Sequence, residues 1–301
     1  MKKTLCIGEA LIDVIKQGDA VIEENVGGAP LNVACSIGHL KGSASFYGAI
    51  GKDDNGQKII NLLKKHNVGY DKMQVLENNK TTLAFVTIWG EGERNFEFAL
   101  DADQKISFAA IKDSINDFDI FHFGSATSLL AAEPCENYNQ ILEATIAAKK
   151  FICFDPNWRN LLWKNDVKQF CEKVKPFLKS ANLIKMNEEE LMIVSEVKDY
   201  QSSLKKMIEL YPQATFLITL GSLGSVVANK NILQHFEIKK SQNPVDSTGA
   251  GDAFIAYIIN EIAKFENPND WTSELSRIIN GANEFAKKSI EYKGALTFLD
   301  N

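Results

Sequence analysis

Short apolar runs return along this chain with helix-like stretches between them, and no other property of the sequence restricts its fold as much. TLCIG, SASFYGAIG, DIFHFGS, FICFDP, LIKM and TFLITLG read as strands, while PLNVACSIGHLKG and DDNGQKIINLLKKH read as helices. Strands that are apolar on both faces must be covered on both. The alternation therefore predicts an α/β fold, a mostly parallel sheet between helices. The helix after Gly28 is well punctuated: Pro30 suits an early helical position, Leu31, Ala34 and Ile37 share a face, and Gly42 stands beyond the end.

One region breaks the alternation. Thr81 to Leu100 is strand-like on both sides of Gly90-Glu91-Gly92, which reads as a hairpin, and the irregular segment Asp13 to Val26 is expected to pair with it. Together they predict a small sheet standing off the main body. With no internal repeat, low-complexity tract or Pro/Gly/Ser-rich linker, the expectation is one domain over residues 1–301 with lid segments at about 13–26 and 81–100.

Composition removes several functional classes. No apolar run approaches the roughly 20 residues that span a bilayer, and Glu9 and Asp13 interrupt the stretch where a signal peptide would keep its apolar core. The formal charge of −6 and the lack of a Lys/Arg run argue against nucleic acid or an anionic membrane, which leaves a small-molecule partner. Five widely spaced cysteines without a Cys-x-x-Cys pair suit a reducing cytoplasm. The four histidines have no metal-ligand spacing, so a zinc site is not expected.

The most informative stretch is NPVDSTGAGDAFIAYIINEIAKF, from Asn243, which turns abruptly from turn residues to an apolar helix after Gly251. Gly249 and Gly251 open backbone conformations that let several N–H groups converge at the helix start. That end also carries partial positive charge, so it suits an anion such as a phosphate. The plainer alternative is a tight turn with Ser247, Thr248 or Asp252 as helix cap. A carboxylate beside an anion is repulsive unless it has work there, and taking a hydroxyl proton is such work for Asp252. A P-loop would need Gly-Lys-Ser/Thr, and a dinucleotide fingerprint a third glycine where Phe254 stands.

DSTGAGDAF resembles the C-terminal signature of the ribokinase-like (PfkB) carbohydrate kinases. GEALIDV, GGAPLNVA, GERNFEF, DPNWR, NEEEL, TLGSLGS and KGA resemble that family's other landmarks, in the family's order and across essentially the whole chain. The resemblance implies a ribokinase-like three-layer α/β/α sandwich with a small inserted β lid, transferring the γ-phosphoryl group of ATP to a sugar hydroxymethyl group. It places Asp252 as catalytic base and Gly249, Ala250 and Gly251 as the anion hole. Asn187 and Glu190 match the Asn-x-x-Glu that organises Mg²⁺ through water; read alone, NEEE would be an acidic first helical turn. Thr219, Gly221 and Gly224 take the nucleotide loop and Asn283 the helix flanking adenine. Asp13, Gly28 and Asn32 take the sugar-hydroxyl contacts. Asp246 and Thr248 match positions that help hold a monovalent cation such as K⁺ in many relatives.

GGAP, Arg94 in GERNFEF and Arg159 in DPNWR resemble fructokinases, a pattern shared in large part with 2-keto-3-deoxygluconate kinases. Arg159 suits a substrate carboxylate, which keeps the acid sugar as the alternative; Arg94 could equally be a solvated hairpin charge. A binding protein of this fold without catalysis would have no need of Asp252 and its glycines. Relatives often pair through such lids, so the resemblance also implies a homodimer.

Overall fold

In chain order, the first part of the computed structural model runs β1 (Thr4–Ile7), β2 (Leu11–Gln17), β3 (Ala20–Gly27), α1 (Ala29–His39), β4 (Ala44–Tyr47), β5 (Ala49–Gly51) and α2 (Asp54–Lys65). There follow β6 (Gln74–Leu76), β7 (Leu83–Trp89), β8 (Glu93–Ala99), α3 (Phe108–Ile111), β9 (Ile120–Gly124), α4 (Ala132–Ala147), β10 (Phe151–Asp155) and α5 (Val167–Ser180). The last part is β11 (Leu183–Asn187), α6 (Glu188–Ser195), α7 (Tyr200–Leu210), β12 (Thr215–Thr219), β13 (Ser225–Ala228), β14 (Leu233–Phe236), α8 (Ala250–Ile262) and α9 (Leu275–Ser289). The structure describes residues 1–89 and 93–300, with the backbone alone at 89 and 93–96. The expected turn Gly90-Glu91-Gly92 and the Arg94 side chain lie outside the described residues.

The main sheet has the order β14-β13-β12-β11-β10-β9-β1-β4. From β4 to β12 its pairings are parallel, and β13 and β14 close one end antiparallel. Side chains alternate between two cores, as a period of two requires. Cys6, Phe151, Cys153 and Leu183 face the core shared with α1, α8 and α9. Leu5, Ile7, Ile152, Phe154, Ile184 and Met186 face the one that takes in Ile141 of α4, Phe170 and Phe177 of α5 and Leu204 of α7. The fold is the expected three-layer α/β/α sandwich.

Two strand expectations change. SASFYGAIG is divided at Gly48, where a Cβ would come within 2.4 Å of the Gly8 carbonyl oxygen; β5 leaves the main sheet and pairs with β6. Asp13 to Val26, read as irregular, is a regular antiparallel pair from Leu11–Gly27 to Gln17–Ala20, with one register shift between Ile15 and Lys16. Its second strand is exposed at four of eight residues and has Glu23 and Glu24 at its centre, so it lacks the apolar run by which a buried strand is recognised. β2 also pairs in parallel with β7, which pairs with β8, giving the separate four-stranded sheet β3-β2-β7-β8.

Candidate active site

The parallel strands β1, β9, β10, β11 and β12 end on one edge of the sheet, where open α/β folds leave a crevice. α1 is seated there by a close approach: a Cβ on Gly8 or Gly124 would lie 2.5 or 3.0 Å from Pro30 Cγ. Gly28, the residue before α1, has φ +117°, and a Cβ on it would meet the Glu9 carbonyl oxygen at 2.4 Å. Only glycine lets the chain enter the helix by this path. Packed beside α1, α8 starts from Gly249 in the left-handed region at φ +78°.

This packing joins two distant motifs. Asn32 Nδ2 donates to Asp252 Oδ2 at 2.9 Å, while the buried Asn32 Oδ1 has no partner among the described residues. Burial pushes the Asp252 carboxyl up to about 6, against the opposing effects of the Lys185 ammonium and the Asn32 hydrogen bond. Asp13 is likewise pushed up to about 6 by burial, with Arg159 opposing. Its Oδ2 lies 2.4 Å from where a Gly27 Cβ would stand, so the first glycine of GGAP makes room for it. Arg159 is exposed and donates from Nη1 to the Trp158 carbonyl at 3.0 Å. Its charge reaches Asp13, Glu9, Glu190 and Asp252.

Glu190 and Asn187 form a reciprocal cap at the start of α6: each side chain accepts from the other's backbone N–H at 2.8 Å. Glu190 Oε1 also accepts from Trp158 N–H at 2.9 Å. The acidic-turn reading of NEEE is thus part of the structure, and it bears on a metal. Both Glu190 oxygens already accept a hydrogen bond, and no group of three or more His, Cys, Asp or Glu able to enclose a metal occurs among the described residues. A hard-oxygen carboxylate with lone pairs to spare fits a hydrated Mg²⁺ held through water. It does not fit a closed protein cage.

The expected nucleotide residues gather at the β12–β13 turn. Gly221 (φ +56°) has open space around its Cα, whereas a Cβ on Gly224 (φ +94°) would strike the Phe236 carbonyl oxygen at 2.0 Å. Next to Gly224, Ser225 Oγ donates to Asn283 Oδ1 at 3.2 Å, and the buried Asn283 Nδ2 has no partner among the described residues. Thr219 ends β12, its hydroxyl 3.4 Å from the Met186 carbonyl. Before α8, Asp246 Oδ1 accepts from the Thr248 N–H and hydroxyl, and Oδ2 accepts from Gly294 N–H at 2.9 Å. The Ala250 N–H donates to the Ser247 carbonyl at 3.2 Å, closing the turn that leads into the helix.

Three site groups went unassigned in the sequence. Lys185 and Asp155 pair at 2.9 Å beneath α8. Glu9, pushed up to about 7 mainly by burial, accepts from Ala29 N–H at the start of α1. For Lys185 and Asp155 the available signal was a charge inside an apolar strand, in LIKM and FICFDP.

The pfkB family carbohydrate kinase pattern matches residues 1–301. The chain is 31% identical over 312 residues to the probable chloroplastic fructokinase-6 of Arabidopsis thaliana, covering 98% of this chain and 79% of the relative. Among solved structures, a fructokinase with bound ATP from Xylella fastidiosa superposes with a TM-score of 0.87 at 27% identity, over 99% of this chain and 95% of that one. A fructokinase double mutant from Vibrio cholerae O395, in its fructose-, ADP- and potassium-bound form, gives a TM-score of 0.87 at 25% identity, over 99% and 95% of the two chains.

Proposed function

Because this chain belongs to the pfkB family of carbohydrate kinases, we propose that it transfers the γ-phosphoryl group of ATP to the hydroxymethyl group of a sugar, and that the sugar is fructose. The observation that carries this is the Asn32–Asp252 hydrogen bond, which ties a polar group of the sugar-side motif to the glycine-rich helix start. Asp252 takes the hydroxyl proton as that oxygen bonds the γ-phosphorus and the bond to the leaving ADP oxygen breaks. The helix start at Gly249, Ala250 and Gly251 faces the charge of the transferring group, with the Ala250 N–H shared between that group and the Ser247 carbonyl. Asp13 and Asn32 hold sugar hydroxyls, with Gly28 permitting the close approach and the exposed Arg159 beside them, and Arg94 is assigned to the same substrate by its motif. Thr219, Gly221, Gly224 and Asn283 receive the nucleotide.

Asn187 and Glu190 would hold Mg²⁺ through water, and the ion would supply charge neutralisation for the triphosphate. Removing divalent metal with EDTA is therefore expected to abolish ADP release, and excess Mg²⁺ to restore it. Turnover that persists in EDTA would exclude a role for the metal. The Asp246–Thr248 loop suits a monovalent cation, in keeping with the potassium held by the Vibrio neighbour. The four-stranded sheet acts as a lid over the sugar, and Val21 and Ile22, about half exposed on it, suit a second copy of the chain. Among the described residues no helix is long and apolar enough to cross a membrane; the five free cysteines suit a reducing compartment, and the cytoplasm is our proposed location.

Fructose is expected to give a higher kcat/KM than ribose, adenosine or 2-keto-3-deoxygluconate in a coupled ADP-release assay at fixed Mg-ATP. A missing hydroxyl leaves a polar group of the site unpaired, which can cost a factor of ~10⁴. The exposed Arg159 is what favours the acid sugar as the second reading. If Arg159 binds a carboxylate, Arg159→Leu removes activity on that sugar alone; if it serves the phosphates or sugar hydroxyls, all accepted sugars lose activity together. A clear preference for 2-keto-3-deoxygluconate overturns the fructose assignment.

A further inference from the structure

Between the sugar side and the start of α8 lies a buried ion pair that the roles above do not use. Lys185 Nζ and Asp155 Oδ2 are 2.9 Å apart, with the two residues 7% and 2% exposed. Their neighbours on the same face of β10 and β11, Phe151, Cys153 and Leu183, belong to the apolar core under α1 and α8. An apolar pair of like volume is commonly as stable as a buried ion pair, or more so, because both charges must leave water. Stability alone is then a poor reason for the pair.

Its position offers a better one. A Cβ on Gly251 would lie 2.7 Å from Lys185 Nζ, so the ammonium sits directly against the first turn of α8. Asp155 takes one of its three N–H donors. The 2.9 Å pair with Asp155 is the geometry of an ammonium against a carboxylate. His122, which shares the face with Cys6 and Cys153 on β9, is pushed down to about 4 by burial and adds no charge at neutral pH. The other cation whose charge reaches Asp252, Arg159, is exposed to solvent, whereas Lys185 is not.

We infer that Lys185 is a positioning residue of the phosphoryl-transfer site, a buried ammonium set against the first turn of α8 beneath the main-chain anion hole, and that Asp155 holds it in place. The inference rests on the kinase reading. A helix start offers roughly half a charge, and a desolvated ammonium behind it strengthens the field on a phosphoryl group in transit. The nucleotide is gripped at the β12–β13 turn and Asn283, so the loss of Lys185 falls on kcat rather than on KM for ATP.

Lys185→Met is expected to lower kcat by ~10²-fold, with KM for ATP and for the preferred sugar within about threefold of wild type. That variant leaves Asp155 buried without its partner, so Lys185→Met/Asp155→Asn, which removes both charges at similar volume, carries the decision. It is expected to melt near wild type and still turn over ~10²-fold more slowly. Its affinity for ADP with aluminium fluoride and sugar, a mimic of the phosphoryl group in transit, should fall by a like factor while ADP alone binds as before. Near-wild-type kcat in the folded double variant overturns the inference and leaves the kinase reading standing. A wild-type protein that releases no ADP with any sugar overturns the kinase reading, and this inference with it.

Discussion

Asp252→Asn is expected to lower kcat by ~10²-fold or more while ATP affinity and the melting temperature stay close to wild type. The amide keeps an oxygen that accepts the Asn32 hydrogen bond, so the α1–α8 contact survives while the proton acceptor is lost. The same carboxyl sets a pH dependence. Burial raises it from 3.8 to about 6, and only the ionised form can take the hydroxyl proton. Wild-type kcat/KM should therefore rise with pH through about 6 and fall away below it. Asp13, also raised to about 6 by burial, titrates in the same window, so Asp13→Asn is expected to make that limb shallower. Near-normal turnover by a folded Asp252→Asn protein, or a flat wild-type profile across this window, would end the assignment of Asp252 as base.

Gly249→Val should damage folding and catalysis together. Gly249 sits at φ +78°, a region costing a β-branched residue roughly 1–2 kcal/mol, and a Cβ there would lie 2.6 and 2.8 Å from the Ala295 Cβ and Cα. Forcing carbon into a packed site costs a further ~1–3 kcal/mol. Relief can come only by moving the Lys293–Gly294–Ala295 loop, and Gly294 N–H is held by Asp246 at 2.9 Å, so the strain passes to the turn before α8. The sum, about 2–5 kcal/mol, corresponds to a fall in melting temperature of roughly 3–8 °C for a chain of this size. Sugar-dependent ADP release should fall ~10²-fold or more in whatever remains folded, because the first-turn N–H groups are displaced. A variant that keeps both its melting temperature and its turnover would show that the α8 start tolerates displacement.

Local chemistry made much of this protein legible. The start of α1 could be read from Pro30 and its apolar face, because caps, proline and periodicity act within a few residues. The strands β9 to β12 were visible as apolar runs for a similar reason: both faces of each lie in a core. In the glycine-rich segment before α8, Gly249 takes the positive φ that backbone freedom implied, whereas Gly251 already lies in the first turn of the helix. Where the signal weakened, burial was one-sided. β3 is exposed at four of its eight residues and interrupted by Glu23 and Glu24, so it resembled a loop, and the break at Gly48 arises from contact with Gly8, forty residues away, which no local pattern records.

The assembly of the site was decided by tertiary structure. Asn32 and Asp252 meet because α1 and α8 pack side by side, and Glu190 reaches Trp158 because the loop after β10 passes the start of α6. Lys185 and Asp155 look like single charges misplaced in apolar strands until β10 and β11 are paired as neighbours, which turns them into one buried ion pair under Gly251. Propensity and periodicity act between residues a turn or a pleat apart. Partnership between charges depends on strand order and layer packing, which are set by how the whole chain buries its apolar surface.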